Sequence, residues 1–244
     1  YCDAYETSTA STSMGVPVVL KYAPTGNSEN YPSRGTLQQT YDQILADLEE
    51  AEKFVTRKGV SQSSSITTDV ITAFKARVAL GMKDYDTARI AAEAVIATKK
   101  YTLVSNATTY AEGWINDNLS ETIFQLAMIN STEVGNAYSY FLYNSSGIEG
   151  RDNPQYIPED WVLDLYDKNK DIRYAAYFDE RTVTTPVVGK MTLLIKYPGN
   201  PKLYTKVTNY CNMPKVFRAS EMYLIAAEAE YLSPNGSIAK ANSY

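Results

Sequence analysis

The sequence predicts a mainly α-helical fold of tetratricopeptide-like helical hairpins, interrupted by irregular loops and one small β-hairpin. Three observations carry that expectation. Residues 66–100, ITTDVITAFKARVALGMKDYDTARIAAEAVIATKK, hold two amphipathic segments joined by a short polar turn. The run FRASEMYLIAAEAEYL at 217–232 returns to the same pattern near the end of the chain. Between them, residues 105–214 keep no sustained helical period.

Taken in order, the chain opens on a Ser/Thr-rich surface segment, followed by the extended apolar run Gly15 to Leu20, which Pro17 confines to an edge. Residues 22–35 are loop. Thr36 with Gln39 three residues on forms a capping box, and Leu37, Tyr41, Ile44, Leu45, Leu48 and Val55 trace one face of a long helix ending before Gly59. Glu49 and Lys53 are spaced for an ion pair on its surface.

In the first hairpin Val70, Ala73, Phe74, Val78 and Gly81 share one helical face, and Ala88, Ala91, Ala92 and Val95 share another. Thr68 or Asp69 is the expected first cap and Asp86 the second, with Lys99 and Lys100 at the negative helix end. Ala76 and Ala88, one on each helix, let two antiparallel backbones approach closely. Aligning Ala227 with Ala76 puts Ala239 on Ala88, so a second hairpin is expected to repeat the first.

The intervening region begins with extended residues 101–104, a helical turn at Tyr110 to Trp114 and a strand at Glu121 to Leu126. Residues 130–158 place Tyr138, Tyr140, Phe141, Tyr143 and Tyr156 among Asn, Ser and Gly, the composition of a functional loop. A short helix at 158–167 follows, then a hairpin of 182–188 and 191–197 turning at Gly189-Lys190, then loop to Pro214.

Composition excludes several functions. There is no His, which removes Ser-His-Asp and Cys-His nucleophile systems and most zinc sites. Cys2 and Cys211 stand alone rather than in CxxC pairs, so neither a metal cluster nor a redox pair is expected, and their disulfide state is open. A net charge of −5 without clustered Lys and Arg argues against nucleic acid as partner. No apolar run approaches the ~20 residues of a membrane helix. Neither Tyr1-Cys2-Asp3 nor the helical pattern cut off after Ser237 reads as a natural end, so a fragment truncated at both ends is expected. The 21 Tyr against 6 Phe and 2 Trp mean that most aromatic surface carries a hydroxyl, which suits sugar rings, peptides and wet interfaces.

Tyr138, Tyr140 and Tyr143 are the candidate ligand platform, with Asn144, Arg151 and Asp152 as hydrogen-bonding groups beside it. Alternation over Tyr138, Tyr140 and Leu142 equally fits a half-buried strand. Trp114 and Trp161 lie in apolar helical contexts that favour core over sugar stacking. Arg218 with Glu221, and Asp171 with Arg173, read as structural ion pairs or caps. Asn116, Asp117, Asn118 and Glu121 present oxygen ligands at a calcium-like spacing without the full EF-hand pattern. Glycoside hydrolysis needs two carboxylates held at a set separation, and no motif points to such a pair. A plain tetratricopeptide adaptor is the other alternative, and residues 130–214 depart from it.

Several stretches together, in this order and spacing, resemble the SusD/RagB family of outer-membrane nutrient-binding lipoproteins: Gly15-Val16-Pro17-Val18-Val19, Tyr41 to Ala51, Ala73 to Ala97, Ser120 to Phe124, Asp171-Ile172-Arg173, Lys196-Tyr197, and Pro214 to Ala229. The resemblance implies one SusD-like domain over 1–244, with 36–104 and 215–244 as helical-repeat scaffold and 105–214 as the irregular ligand side. It implies non-enzymatic capture of an oligosaccharide, or in some members a peptide, for delivery to a SusC-like TonB-dependent transporter. Neither cofactor nor metal is implied. It also implies a surface-exposed lipoprotein held at the outer membrane through a lipid anchor absent from this chain, Cys2 having no apolar segment before it.

Overall fold

The computed structural model describes residues 4–22, 24, 26–28, 31–128, 154, 156–183, 189–203 and 211–244. The chain divides into two compact units. The first comprises Tyr1–Gly59, Ser65–Lys100 and Ala219–Tyr244, and the second Val60–Ser64 and Tyr101–Arg218.

The first unit is helical. Helix α1 (Leu37–Phe54) starts at the expected capping box, Thr36 accepting from Gln39 N while the Gln39 side chain accepts from Thr36 N. Leu37 buries its side chain with Tyr5 and Ala10, and Tyr41 meets Tyr5 edge-on at 4.8 Å. The ion pair on its surface joins Lys53 to Glu50 rather than to Glu49. Helices α2 (Thr68–Gly81) and α3 (Tyr85–Ala97) form the predicted hairpin, capped one residue earlier than expected by Thr67 and two residues earlier by Asp84. Ala76 and Ala88 are both fully buried, as close antiparallel packing requires.

The buried face of α2 is turned from the one expected. Val70, Ile71, Ala73, Ala76 and Ala79 are buried, whereas Phe74 and Gly81 are exposed. The hydrophobic stripe alone misjudges it because small Ala side chains, not Phe74, permit contact with the neighbouring helices. Helix α7 (Ala219–Leu232) packs on both α2 and α3 and buries Met222, Ile225, Ala226 and Ala229; short α8 (Ile238–Ala241) follows. Ala227 is only half-buried and Ala239 is exposed, so the second pair does not repeat the first residue for residue. Ion pairs hold these helices: Arg77 donates twice to Glu221 at 2.6 and 2.7 Å, and buried Glu230 receives Arg89 and Lys240.

In the second unit, α4 (Ala107–Ile115) packs against α6 (Ile172–Tyr177), with α5 (Asp160–Leu163) between them in sequence. Strand β1 (Thr122–Gln125) pairs antiparallel with β4 (Lys215–Arg218), which corrects the helical reading of Phe217 and Arg218. Strands β2 (Phe178–Val183) and β3 (Gly189–Leu194) make the second antiparallel pair, with Gly189 opposite Val183 and Lys190 opposite Thr182. Gly189 and Lys190 are therefore ladder residues, not the turn. The core joins Tyr110, Trp114, Leu119, Leu163, Ala176, Tyr177 and Phe178. No described helix is long and apolar enough to cross a membrane.

Candidate functional site

Asp117 fixes the geometry of the second unit's polar interior. Its backbone sits at φ 54°, a left-handed conformation that Asp tolerates better than most residues. The buried carboxylate accepts from Asn200 Nδ2 at 2.9 Å, Asn212 Nδ2 at 3.1 Å, Met213 N at 3.1 Å and Lys215 Nζ at 2.8 Å. These bonds tie β4 and the segment before it to the end of α4. Asp117 is thereby committed to structure, and Glu121 is bound by Arg218 at 2.7 Å. The calcium-like spacing thus yields two carboxylates already matched by cations, and no described residues form a metal-binding cluster.

Three cations converge on the buried ring of Trp114. Lys196 Nζ and Lys215 Nζ each lie 4.8 Å from its centroid, and Arg218 Cζ lies 5.3 Å away. Cation–π attraction, worth about 2 kcal/mol when desolvated, favours this arrangement. Lys215 and Arg218 also have carboxylate partners, in Asp117 and Glu121. Lys196 has none among the described residues; its other aromatic neighbour is Tyr177, at 4.8 Å. Burial, then the Arg218 and Lys215 charges, push its ammonium down to about 8. Burial likewise raises the Tyr177 phenol far above its ordinary range, so it stays a neutral hydrogen-bonding group, 2.7 Å from the Tyr110 hydroxyl.

Lys196 and Tyr177 open onto a cleft of about 410 Å³ whose walls include Tyr156, Tyr166, Phe178 and Leu194. Tyr166 packs edge-on to Phe178 at 5.2 Å and carries the Arg173 guanidinium over its ring at 5.2 Å. Arg173 is held by Asp171, which also caps α6, so this pair fulfils both structural roles expected of it. The hydrogen bonds from Arg173 hold the Asp171 carboxyl below its usual range. Tyr156 on the cleft wall is 60% exposed, and Trp161, outside the lining, is 67% exposed. Trp161 is therefore surface, against the core reading, while Trp114 at 1% is core as expected. α5 has too few residues to turn every apolar side chain inward, and Leu163 takes the buried place.

Among the described residues, this lining offers flat apolar faces, hydroxyls and one ammonium, and no carboxylate. It can stack a ring and hydrogen-bond its substituents. A larger groove in the first unit, about 620 Å³, is lined by Arg34, Gln39, Asp42 and Gln43. Those side chains are already engaged: Arg34 donates to Gly15 O, Gln39 completes the α1 cap, Asp42 accepts from Gln38 and Gln43 donates to Asp47.

Tyr138, Tyr140, Tyr143, Asn144, Arg151 and Asp152, the expected platform, lie outside the described residues, as does Cys2; Cys211 is buried. Arg218 and Glu221 do not pair with each other: Arg218 binds Glu121 and Glu221 binds Arg77. Tyr166, Tyr177, Phe178 and Lys196 carry no local signal of a site, since only the pairing of β2 with β3 sets Lys196 beside Tyr177.

No family model matches the chain. SusD-like protein P38 of Formosa agariphila is 30% identical over 106 residues, which are 43% of this chain and 21% of that protein. The crystal structure of a SusD superfamily protein from Bacteroides thetaiotaomicron superposes with a TM-score of 0.71 at 26% identity, over 98% of this chain and 51% of its own. Surface glycan-binding protein A from Bacteroides uniformis shares the fold, with a TM-score of 0.67 at 21% identity over 91% of this chain and 50% of its own. The chain thus spans about half the length of the solved structures it matches. Helical hairpins and two small antiparallel strand pairs, superposing over 98% of the chain on that SusD superfamily structure, give this chain a SusD-like fold.

Proposed function

We propose that this chain is part of a non-enzymatic cell-surface protein that captures an oligosaccharide and hands it to a SusC-like TonB-dependent transporter in the outer membrane. The observation that carries the reading is the aromatic cleft of the second unit, where Tyr156, Tyr166, Tyr177 and Phe178 supply stacking faces and hydroxyls. The similarity to a surface glycan-binding protein supports it. In this reading the helices of residues 36–104 and 215–244 are scaffold and transporter-facing surface, and the 105–214 region is the ligand side. Tyr138, Tyr140, Tyr143, Asn144 and Arg151 directly precede the cleft-lining segment in sequence and are proposed to extend the same platform. A lipid anchor carried by the longer protein would hold it at the surface.

Titration of the purified chain against a panel of oligosaccharides and peptides tests the capture step. Saturable glycan binding, without release of reducing ends, is the expected result. Cleavage of the glycan overturns the non-enzymatic reading, and binding of peptides alone overturns the glycan reading. Delivery is tested by purifying the full-length lipoprotein from outer membranes, where a TonB-dependent barrel should accompany it.

A further inference from the structure

The charge pattern around Trp114 deepens the proposed function, on which this inference rests. Of the three cations facing that ring, Lys215 and Arg218 each hold a carboxylate, at 2.8 and 2.7 Å. Among the described residues, Lys196 has no carboxylate partner and is the one charged side chain lining the cleft. Two rings hold its ammonium against the floor, Trp114 and Tyr177, each centroid 4.8 Å from Nζ. A neutral sugar satisfies the Tyr and Phe faces and leaves that charge unmatched in an apolar recess. An acidic sugar satisfies both.

We propose that the cleft selects acidic oligosaccharides, with the sugar ring against Tyr166, Tyr177 and Phe178 and its carboxylate or sulfate on Lys196 Nζ. The expected contact is a charge-assisted hydrogen bond between the Lys196 ammonium and an anionic oxygen, shorter and stronger than a neutral one. Burial pushes Lys196 down to about 8, the mark of a desolvated ammonium; an anion supplied by the ligand provides the missing counter-charge. The two neighbouring cations add to the positive potential at the floor without being available themselves, since each is already bound.

The test uses a set of uronate-bearing and sulfated oligosaccharides, each paired with its carboxyl-reduced or desulfated form, titrated into the full chain by calorimetry. The expected result is that at least one acidic member binds about tenfold or more tighter than its neutral partner. Lys196→Met should erase that difference, and Lys196→Arg, which keeps the charge, should retain it. Circular dichroism of each variant verifies that it is folded. Equal or tighter binding of the neutral forms, lost in Tyr166→Ala, overturns the acidic preference and leaves glycan capture standing. Failure of every member to bind, acidic or neutral, overturns both. A preference for acidic glycans that survives in folded Lys196→Met removes Lys196 from the assignment, and binding of acidic peptides instead of glycans overturns it as well.

Discussion

The Lys215 ammonium lies 2.8 Å from the Asp117 carboxylate, and the two side chains are 0% and 2% exposed. A buried pair of this kind contributes little net stability against an apolar pair, yet breaking it is costly because the surviving charge has no water to turn to. Asp117 also binds Asn200, Asn212 and the Met213 amide, so its loss undoes several contacts together. Asp117→Ala is expected to lower unfolding stability by about 3–5 kcal/mol in urea denaturation. Asp117→Asn with Lys215→Met should recover part of that loss, because no buried charge is then left alone.

Lys196 makes the opposite prediction. Its folded ammonium is depressed to about 8, while in the unfolded chain it titrates near 10.5. Below pH 8 both states hold the proton and the folded state bears the desolvation cost in full. Above about 10.5 both are neutral and the cost is gone. Lys196→Met should therefore stabilise the protein by about 1–2 kcal/mol at pH 7, a figure reduced because the side chain is only half-buried. The gain should shrink as pH rises from 8 to 10.5, as parallel denaturation curves of the two proteins will show.

The same titration governs ligand binding. Among the described residues, the groups facing Lys196 are Lys215, Arg218, the Trp114 ring and the Tyr177 phenol, and Tyr177 is held neutral by burial. An acidic oligosaccharide that needs the ammonium should bind about tenfold more weakly at pH 9 than at pH 7, since protonation falls one decade per pH unit above the free pKa. Neutral glycans should show no such dependence in the same calorimetric series.

Tyr156, on the cleft wall, is mostly exposed, so truncating it should alter stability by less than about 0.5 kcal/mol. Its contribution should appear in binding alone. Tyr156→Ala is expected to weaken oligosaccharide affinity about three- to tenfold, the loss of one stacking face, with an unchanged melting curve.

In the first unit, Ala88 is fully enclosed at the α2–α3 contact. Ala88→Leu should destabilise by about 1–3 kcal/mol through overpacking, whereas the same change at exposed Ala239 should be near neutral. Thermal unfolding of the two variants makes the comparison directly.

Local chemistry is legible at several places, though the caps of α2 and α3 lie one and two residues before the expected ones. The Thr36–Gln39 box, the small residues at Ala76 and Ala88 and the Asp171 cap act within a few residues or at one helix contact. What sequence spacing missed depends on partners far along the chain. Phe217 and Arg218 are strand because β1 pairs with them, and Glu221 chose Arg77 over a neighbour three residues away. The face of α2 turned because its neighbours accept Ala and not Phe74. The cleft is illegible for the same reason: Trp114 draws Lys196 from beyond β3 and Lys215 and Arg218 from β4, far along the chain, and none of the three belongs to a motif that announces a site.

The hydrogen bond from Ser233 Oγ to Asp86 Oδ1 spans 147 residues of sequence. It belongs to a helical unit whose last segment follows the entire second unit in the chain. During synthesis the α2–α3 hairpin therefore emerges long before α7 exists to cover it, and its alanine-lined face must wait, exposed, while residues 101–218 are made. Loop closure over so great a length costs only slowly increasing entropy, but it delays folding. The second unit, nearly continuous in sequence, can complete its core first. Biogenesis thus sets an order in which the cleft-bearing unit matures ahead of the helical one, and a chain halted before Ala219 would display an unfinished helical surface to chaperones and proteases.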